Sequence, residues 1–192
     1  MDPKFYLQPT KKVAQLLLGQ LLCVRTSRGV VRTRIVETEA YLGIKDPACH
    51  TFAKRKTQRN KSMYLQGGHC YVYFIYGMYF CFNIVTRDEQ SPEAVLIRGV
   101  EPLDWTPKEK SSRTPLPTNG PGKLCRYLEI DHKDDGLWLG SKKSRIWIEQ
   151  SKFVVKKSQI IIRERVGIDS YPDARDWPLR FYLQDNPFVS RK

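Results

Sequence analysis

Two glutamates and a tyrosine recur at every second position near the end of residues 34–41. This segment is rich in β-branched residues, and in a strand Glu37, Glu39 and Tyr41 share one face because successive side chains alternate. Such a face suits a core poorly, but one carboxylate could activate a water molecule while the aromatic ring holds a flat substrate. The alternative is a solvated face whose glutamates pair with nearby arginines, and composition alone favours that alternative.

The charge of the chain indicates what kind of substrate such a site would meet. Lysine and arginine number 33 against 20 acidic residues, so the formal charge is +13 and much of the surface must be positive. Nucleic acid and anionic membrane are both suitable partners for such a surface. No apolar stretch approaches the ~20 residues that span a bilayer, and residues 1–5 lack the blocks of a secretory signal. We therefore expect an intracellular protein that does not bind membrane, in the nucleus of a eukaryote or the cytoplasm of a bacterium.

The most aromatic segment, residues 71–83, alternates in the manner of two paired strands. Its central glycine predicts a β-hairpin with Tyr76 and Gly77 at the tip. Turns lie on the surface and normally carry polar residues or glycine, so a tyrosine there is oddly placed for core packing. On a basic protein an exposed aromatic could wedge between base pairs and fill the space left by an everted nucleotide. If the turn lies elsewhere, Tyr76 instead packs in the sheet.

Three further residues and a basic run could contribute to the same site. His50 could hydrogen-bond a base, Asn83 could read a base edge, and Arg98 could hold a phosphate or orient a carboxylate. Taken alone, His50 is better explained as an ordinary surface or core histidine, and Asn83 and Arg98 are common strand residues. A basic run follows His50 in a segment, residues 44–68, that predicts a surface loop or short helices. Its candidates for contact with a phosphate backbone are Arg55, Arg59 and Lys61.

The cysteines do not predict a disulfide framework, because they form an odd set without a C-x-x-C pair. Cys49-His50 and His69-Cys70 have residue types that could bind zinc. Adjacent strand side chains point to opposite faces, however, which disfavours such a site. We therefore expect buried thiols, with no metal and no cofactor.

The elements that must position these residues are a mixture of helices and strands. Apolar spacing over residues 11–22 predicts an amphipathic helix, and residues 123–128 predict a second helix after Gly120-Pro121-Gly122. Beside the hairpin, the predicted strands are residues 21–25, 30–41, 94–100, 145–149 and 159–165, and residues 105–118 predict an exposed loop. Without repeats or a linker, residues 1–192 predict one compact α+β domain. Its sheet is mixed, mostly antiparallel and curved, with flanking helices and a protruding β-hairpin.

Taken together, these segments resemble the alkyladenine (3-methyladenine) DNA glycosylase family, in its mammalian-type branch. The resemblance is close over residues 34–83, in Arg-Ile-Val-Glu-Thr-Glu-Ala-Tyr-Leu-Gly and in Tyr-Val-Tyr-Phe-Ile-Tyr-Gly-Met-Tyr-Phe-Cys-Phe-Asn. It continues in order through residues 95–98, 101–103, 120–125, 165–168 and 177–182, and so covers nearly the whole chain. It implies an enzyme that flips an alkylated or deaminated purine out of duplex DNA and hydrolyses its bond to the sugar.

The resemblance also implies a role for each candidate residue. Glu39 matches the general base that activates water for attack on the sugar C1′, and Arg98 matches a residue that supports this water and the nucleotide backbone. The residues that match the base-binding pocket are Tyr41, His50, Tyr73 and Asn83, and the one that matches the intercalating wedge is Tyr76. Asn83 would crowd out the amino group of normal guanine. The implied substrates are 3-methyladenine, 7-methylguanine, hypoxanthine and ethenoadenine, and the implied product is an abasic site, formed by a monomer without lyase activity.

Two other functions remain compatible with the residues themselves. A metal-dependent nuclease could use Glu37 and Glu39 as ligands for Mg²⁺ beside a phosphate. A catalytically silent nucleic-acid-binding module could use the aromatic side chains as stacking platforms. Sensitivity to a chelator would distinguish the nuclease, and an unchanged Glu39→Gln variant would distinguish the binding module.

Overall fold

A computed structural model describes residues 1–104 and 116–191. The helices are α1 (Pro3–Tyr6), α2 (Thr10–Leu17), α3 (Pro121–Tyr127) and α4 (Pro172–Arg175). The strands are β1 (Leu21–Thr26), β2 (Gly29–Tyr41), β3 (Cys70–Ile75), β4 (Tyr79–Thr86), β5 (Glu93–Pro102), β6 (Ile146–Glu149), β7 (Ile160–Arg163) and β8 (Arg180–Leu183). Short 3-10 helices occupy Gly43–Lys45, Phe52–Lys54, Gln58–Tyr64, His132–Asp134 and Lys157–Gln159.

The strands form one eight-stranded sheet in the order β3-β4-β5-β2-β1-β6, and β8 joins β2 and carries β7 on its other side. The pairings between the described strands are antiparallel. The fold is therefore α+β, and the hairpin predicted over residues 71–83 is confirmed as β3 and β4, with Ile75 paired to Tyr79. No helix among the described residues is both long and apolar enough to cross a membrane.

Strand β2 separates the hydrophobic core from the candidate site. Val36 and Ala40 belong to the main core cluster, together with apolar residues of α2. The Thr38 hydroxyl donates to the carbonyl of Ala14 in α2 at 2.9 Å, which fixes this face against the helix. Because side chains alternate along a strand, Glu37 and Glu39 are left on the face away from α2.

The pairing between β2 and β5 is irregular beside these glutamates. Glu37 pairs with Gly99 and Thr38 with Ile97, so Arg98 is an extra residue in β5, and Val36 is an extra residue in β2. Such bulges re-aim side chains and are frequent next to active sites. Here the bulge in β5 carries Arg98 between the two glutamates. The sequence pattern did not predict either irregularity.

Several predicted boundaries are wrong. The helix predicted over residues 11–22 ends at Leu17. Gly19 adopts a positive φ of 83°, and Leu21 is already the first residue of β1, where it pairs with Arg34 of β2. The strand predicted over 159–165 ends at Arg163, and β8 was not predicted as a strand. Most of the predicted loop over 105–118 lies outside the described residues. Thr118, at its end, is buried rather than exposed and bonds to the backbone of Val100.

Candidate active site

A cavity of about 680 Å³ opens between β2, the hairpin, α3 and residues 166–171. This volume is typical of sites that bind small molecules or single nucleotides, roughly 300–1,000 Å³. The residues predicted for the site that line it are Tyr41, His50, Tyr73, Tyr76, Asn83 and Arg98. The structure thus brings together side chains that the sequence placed in separate segments, and their roles toward DNA stay predictions.

One wall of the cavity is an aromatic cluster. The rings of His50 and Tyr73 lie edge to face with centroids 4.7 Å apart, and Tyr71 lies 5.3 Å from Tyr73. His50 Nδ1 is hydrogen-bonded to the hydroxyl of Tyr71 at 2.8 Å. The amide of Asn83, on the paired strand, donates to the Tyr71 carbonyl at 3.0 Å. These contacts fix the shape of a slot that suits a flat ring.

His50 is uncharged at neutral pH. Burial, together with the positive charges of Arg59 and Arg55, lowers the pKa of its imidazole to about 4. The aromatic wall therefore adds no positive charge of its own to the cavity. A bound ring that carried a positive charge would not meet a histidine cation there.

The two glutamates of β2 are fully buried. The solvated face that composition favoured is therefore wrong, although the expected pairing with arginines occurs. The arginines come from strands that are distant in sequence, Arg98 in β5 and Arg180 in β8. The carboxylates can be buried because these arginines pair with them, and the residues of β2 alone do not indicate this pairing.

Glu37 is bonded to two segments that are distant in sequence and plays a structural part. Its Oε1 accepts from Arg180 Nη1 at 2.9 Å, and its Oε2 accepts from the backbone N–H of Ser190 at 2.7 Å. Arg98 Nε lies 3.5 Å from Oε1. Because cationic groups already occupy this carboxylate, the arrangement does not suit a divalent metal, as a nuclease would require. Among the described residues, no group of three or more His, Cys, Asp and Glu side chains could hold a metal ion.

Glu39 does not itself line the cavity; its carboxylate lies behind residues that form the cavity wall. Its Oε1 accepts from the Val166 N–H at 2.8 Å, its Oε2 accepts from the Tyr41 hydroxyl at 3.1 Å, and Arg98 Nη1 lies 3.5 Å away. All three of these residues line the cavity. Burial raises the pKa of Glu39, while Arg98 and the Val166 N–H act in the opposite direction. A carboxylate with a raised pKa beside a cavity is suited to accept a proton.

A buried ion pair that the sequence analysis missed holds the segments around the slot. Arg165 donates to both carboxylate oxygens of Asp46, at 2.5 and 2.8 Å, and to the carbonyl of Ala40 at 3.1 Å. Its guanidinium also lies 4.6 Å from the ring of Tyr41. Asp46 in turn accepts from two backbone N–H groups of residues 42–48. The pair therefore fixes the loop that leads to His50.

Tyr76 stands at the tip of the hairpin, as predicted, and the alternative in which it packs in the sheet is wrong. Its side chain is 79% exposed, and its φ of 54° is in the left-handed region, as is that of Gly77. A bulky residue in this conformation is strained. Strain retained at an exposed aromatic indicates a role other than stability.

The basic residues predicted to face a phosphate backbone are exposed, and one of them, Arg59, lies beside the aromatic wall. Arg59 donates to the carbonyl of Phe74 at 3.0 Å and lies 5.4 Å from the ring of Tyr73. The Asn60 amide donates to the carbonyls of His50 and Arg55, which ties the basic run to the aromatic wall. Lys61 is exposed on the same 3-10 helix. Contact of these side chains with DNA remains a prediction.

Comparison with known proteins gives a consistent result over the whole chain. The family model described as methylpurine-DNA glycosylase matches residues 4–187. A protein of Bdellovibrio bacteriovorus is 58% identical over 192 residues, with 100% of this chain and 99% of that protein covered. Proteins of Borreliella burgdorferi and Clostridium novyi are 43% and 40% identical, and 100% of this chain is covered in both, with 100% and 98% of the relatives. All three relatives carry the provisional name 3-methyladenine DNA glycosylase.

Proposed function

The chain belongs to the methylpurine-DNA glycosylase family and is a hydrolase of N-glycosidic bonds in DNA, and from this premise we propose that it excises alkylated and deaminated purines with a water activated by Glu39. The substrates are of the 3-methyladenine, 7-methylguanine, hypoxanthine and ethenoadenine type, in duplex DNA. One observation carries the proposal. Tyr41 and Arg98 both line the aromatic cavity and both contact the Glu39 carboxylate behind it.

Binding begins at the phosphate backbone and continues into the cavity. Exposed lysines and arginines give a grip that does not depend on sequence and that weakens as salt is raised. The damaged nucleotide leaves the stack, at a lower cost than a normal one because its pairing is weakened, and Tyr76 fills the gap. The extruded base enters the slot lined by Tyr41, His50 and Tyr73, where Asn83 excludes the amino group of normal guanine.

Charge contributes to selectivity for alkylated bases. A purine alkylated at a ring nitrogen carries a positive charge, and aromatic faces attract it by about 1 kcal/mol or more when both are desolvated. The neutral imidazole of His50 does not oppose this attraction. The same charge makes the base a good leaving group.

Hydrolysis replaces the bond between C1′ and the base nitrogen with a bond to water. As the bond breaks, its electron pair leaves with the base, and the ionised Glu39 stabilises the positive charge that develops on the sugar. The water oxygen then bonds to C1′, and Glu39 accepts the proton. A cationic base departs neutral, whereas a neutral base such as hypoxanthine needs a proton as it leaves. Arg98 supports the water and keeps Glu39 ionised.

The Glu39 carboxylate retains capacity for this water. Each carboxylate oxygen accepts one short bond, Oε1 from the Val166 N–H and Oε2 from the Tyr41 hydroxyl, and Arg98 Nη1 lies 3.5 Å from Oε1. A carboxylate offers about four lone-pair sites. The water approaches from the cavity, between the three residues that contact Glu39. The product is an abasic site in an intact strand, made by a monomer without a cofactor.

The direct test is to incubate the protein, with EDTA present, with duplexes that each contain one hypoxanthine, ethenoadenine, 7-methylguanine or uracil. We expect release of the free purines but not of uracil, and strand breaks only after treatment with alkali. Absence of any base release would support the silent binding module. Activity lost in EDTA, or strand breaks without alkali, would support the nuclease.

A second prediction concerns the wedge. We expect Tyr76→Gly to reduce base release from duplex DNA roughly tenfold while leaving release from single strands unchanged, because only a duplex needs a nucleotide held out of its stack. Glycine adopts the positive φ freely, so the free energy of unfolding should stay within about 1 kcal/mol of wild type. The measurement is single-turnover release from matched single- and double-stranded oligonucleotides. Val154→Gly, at a residue 82% exposed outside the cavity, is the control, and equal losses on both substrates would contradict the wedge.

A further inference from the structure

Residues 186–191 form a wall behind the candidate catalytic residues. The backbone N–H of Ser190 donates to Glu37, and the carbonyl of Arg191 accepts from Arg180 Nη1 at 2.7 Å. The carbonyl oxygen of Phe188 lies 2.6 Å from where a Cβ on Gly99 would stand, so glycine is needed next to Arg98 for this segment to approach. The segment is thus packed directly against the bulge in β5.

One side chain of this segment contacts Arg98. The hydroxyl oxygen of Ser190 lies 3.3 Å from both Nε and Nη2 of Arg98 and accepts from both. The contacts of Arg98 with Glu37 and Glu39 are longer, 3.5 Å each. Arg98 is therefore held between two carboxylates, and the serine hydroxyl contacts two of its three guanidinium nitrogens.

This geometry determines how Arg98 is shared between the glutamates. Arg180 already gives Glu37 a closer cationic partner, at 2.9 Å, so Glu37 depends less on Arg98. Nη1, which contacts Glu39, is the guanidinium nitrogen that Ser190 leaves free. A hydroxyl that binds the other two nitrogens fixes the plane of the guanidinium and aims Nη1 at Glu39.

We propose that Ser190 is a positioning residue that orients Arg98 toward Glu39. The inference rests on the proposed function, in which Glu39 activates the water. If Ser190 is lost, Arg98 is less well oriented and stabilises the ionised carboxylate less. Because Arg98 acts to lower the pKa of Glu39, that pKa rises further, and more of the enzyme is protonated and inactive at a given acidic pH.

The test compares Ser190→Ala, which removes only the hydroxyl and keeps the N–H bond to Glu37, with Ser190→Thr, which retains a hydroxyl. Ser141→Ala is the matched control, because that serine hydroxyl accepts a local backbone bond outside the site. We expect Ser190→Ala to lower the single-turnover rate of hypoxanthine release roughly tenfold. We also expect the acid limb of its pH–rate profile to move to higher pH, with unchanged DNA affinity. Ser190→Thr should keep both the rate and the position of the acid limb near those of the wild type.

A wild-type rate and an unshifted limb in Ser190→Ala would overturn the proposal. Equal losses in Ser190→Ala and Ser190→Thr, with lowered melting temperatures and an unshifted limb, would also overturn it, because they would show a structural role alone. The NMR signal of the Arg98 Nε–H provides a readout that needs no activity. We expect this proton to exchange with solvent severalfold faster in Ser190→Ala than in wild type. Exchange that is unchanged in Ser190→Ala refutes the positioning role, even if the wild type releases no base. Exchange that is faster in Ser190→Ala, together with a wild type that releases no base, refutes only the proposed function.

Discussion

Replacing Glu39 with glutamine should sharply reduce base release and leave DNA binding intact. The single-turnover rate should fall on the order of 10²–10⁴-fold, the usual contribution of a general base. Glutamine has nearly the same shape: its amide oxygen can accept from the Val166 N–H and its amide NH2 can donate to the Tyr41 hydroxyl oxygen. It cannot, however, take a proton from water or stabilise a cationic sugar. The measurement is release of hypoxanthine from a duplex under enzyme excess, with binding to the same duplex measured separately.

A matched control for this variant is Glu149→Gln in β6. Glu149 pairs with lysine and arginine on the surface, so its replacement should change neither rate nor affinity. Glu39→Gln should also melt cooperatively near the wild-type temperature, because Arg98 retains Glu37 and Ser190 as partners. Base release by a folded Glu39→Gln within a few fold of wild type would exclude Glu39 as the base.

The largest expected effect on stability follows from the buried pair of Arg165 and Asp46. We expect Arg165→Met to lower the free energy of unfolding by about 3–5 kcal/mol, because it leaves the Asp46 carboxylate buried without its cation. Both side chains are completely buried, and the bidentate geometry is strong. Urea unfolding followed by circular dichroism measures the change.

The control is Arg175→Met, which breaks an exposed pair with Asp176. Exposed pairs contribute little, so we expect no measurable change in stability there. The Arg165→Met variant should also release base more slowly at temperatures where it remains folded, since the loop before His50 and the ring of Tyr41 both lose a contact. Equal unfolding free energies for the two variants would show that the buried pair does not stabilise the fold.

The local pattern of the sequence predicted the elements that carry the site, because that pattern reflects local geometry. Alternation placed Glu37, Glu39 and Tyr41 on one face of β2, and the central glycine placed Tyr76 at the hairpin tip. The family signatures then brought His50, Tyr73, Asn83 and Arg98 into the same prediction. The fold class followed from the mixture of helical and strand periods.

The parts that could not be predicted depend on contacts between distant segments. Burial of Glu37 and Glu39 requires arginines from β5 and β8, and the Arg165–Asp46 pair joins residues 119 positions apart. The bulge at Arg98 depends on the register between β2 and β5. The end of α2 was misplaced because the apolar residues Leu21 and Leu22 fit a helix and a strand equally well. Pairing with β2 decides between the two.

The pH dependence of hypoxanthine release under single-turnover conditions tests the central claim most directly. Burial raises the pKa of Glu39 above its ordinary value near 4.5, and only the ionised carboxylate accepts a proton from water. The rate of the wild type should therefore fall as pH drops through this raised pKa, with a slope of one proton, and the residual rate of Glu39→Gln should show no such fall. A wild-type rate that is level across this acid range, or the same acid limb in Glu39→Gln, would contradict the account.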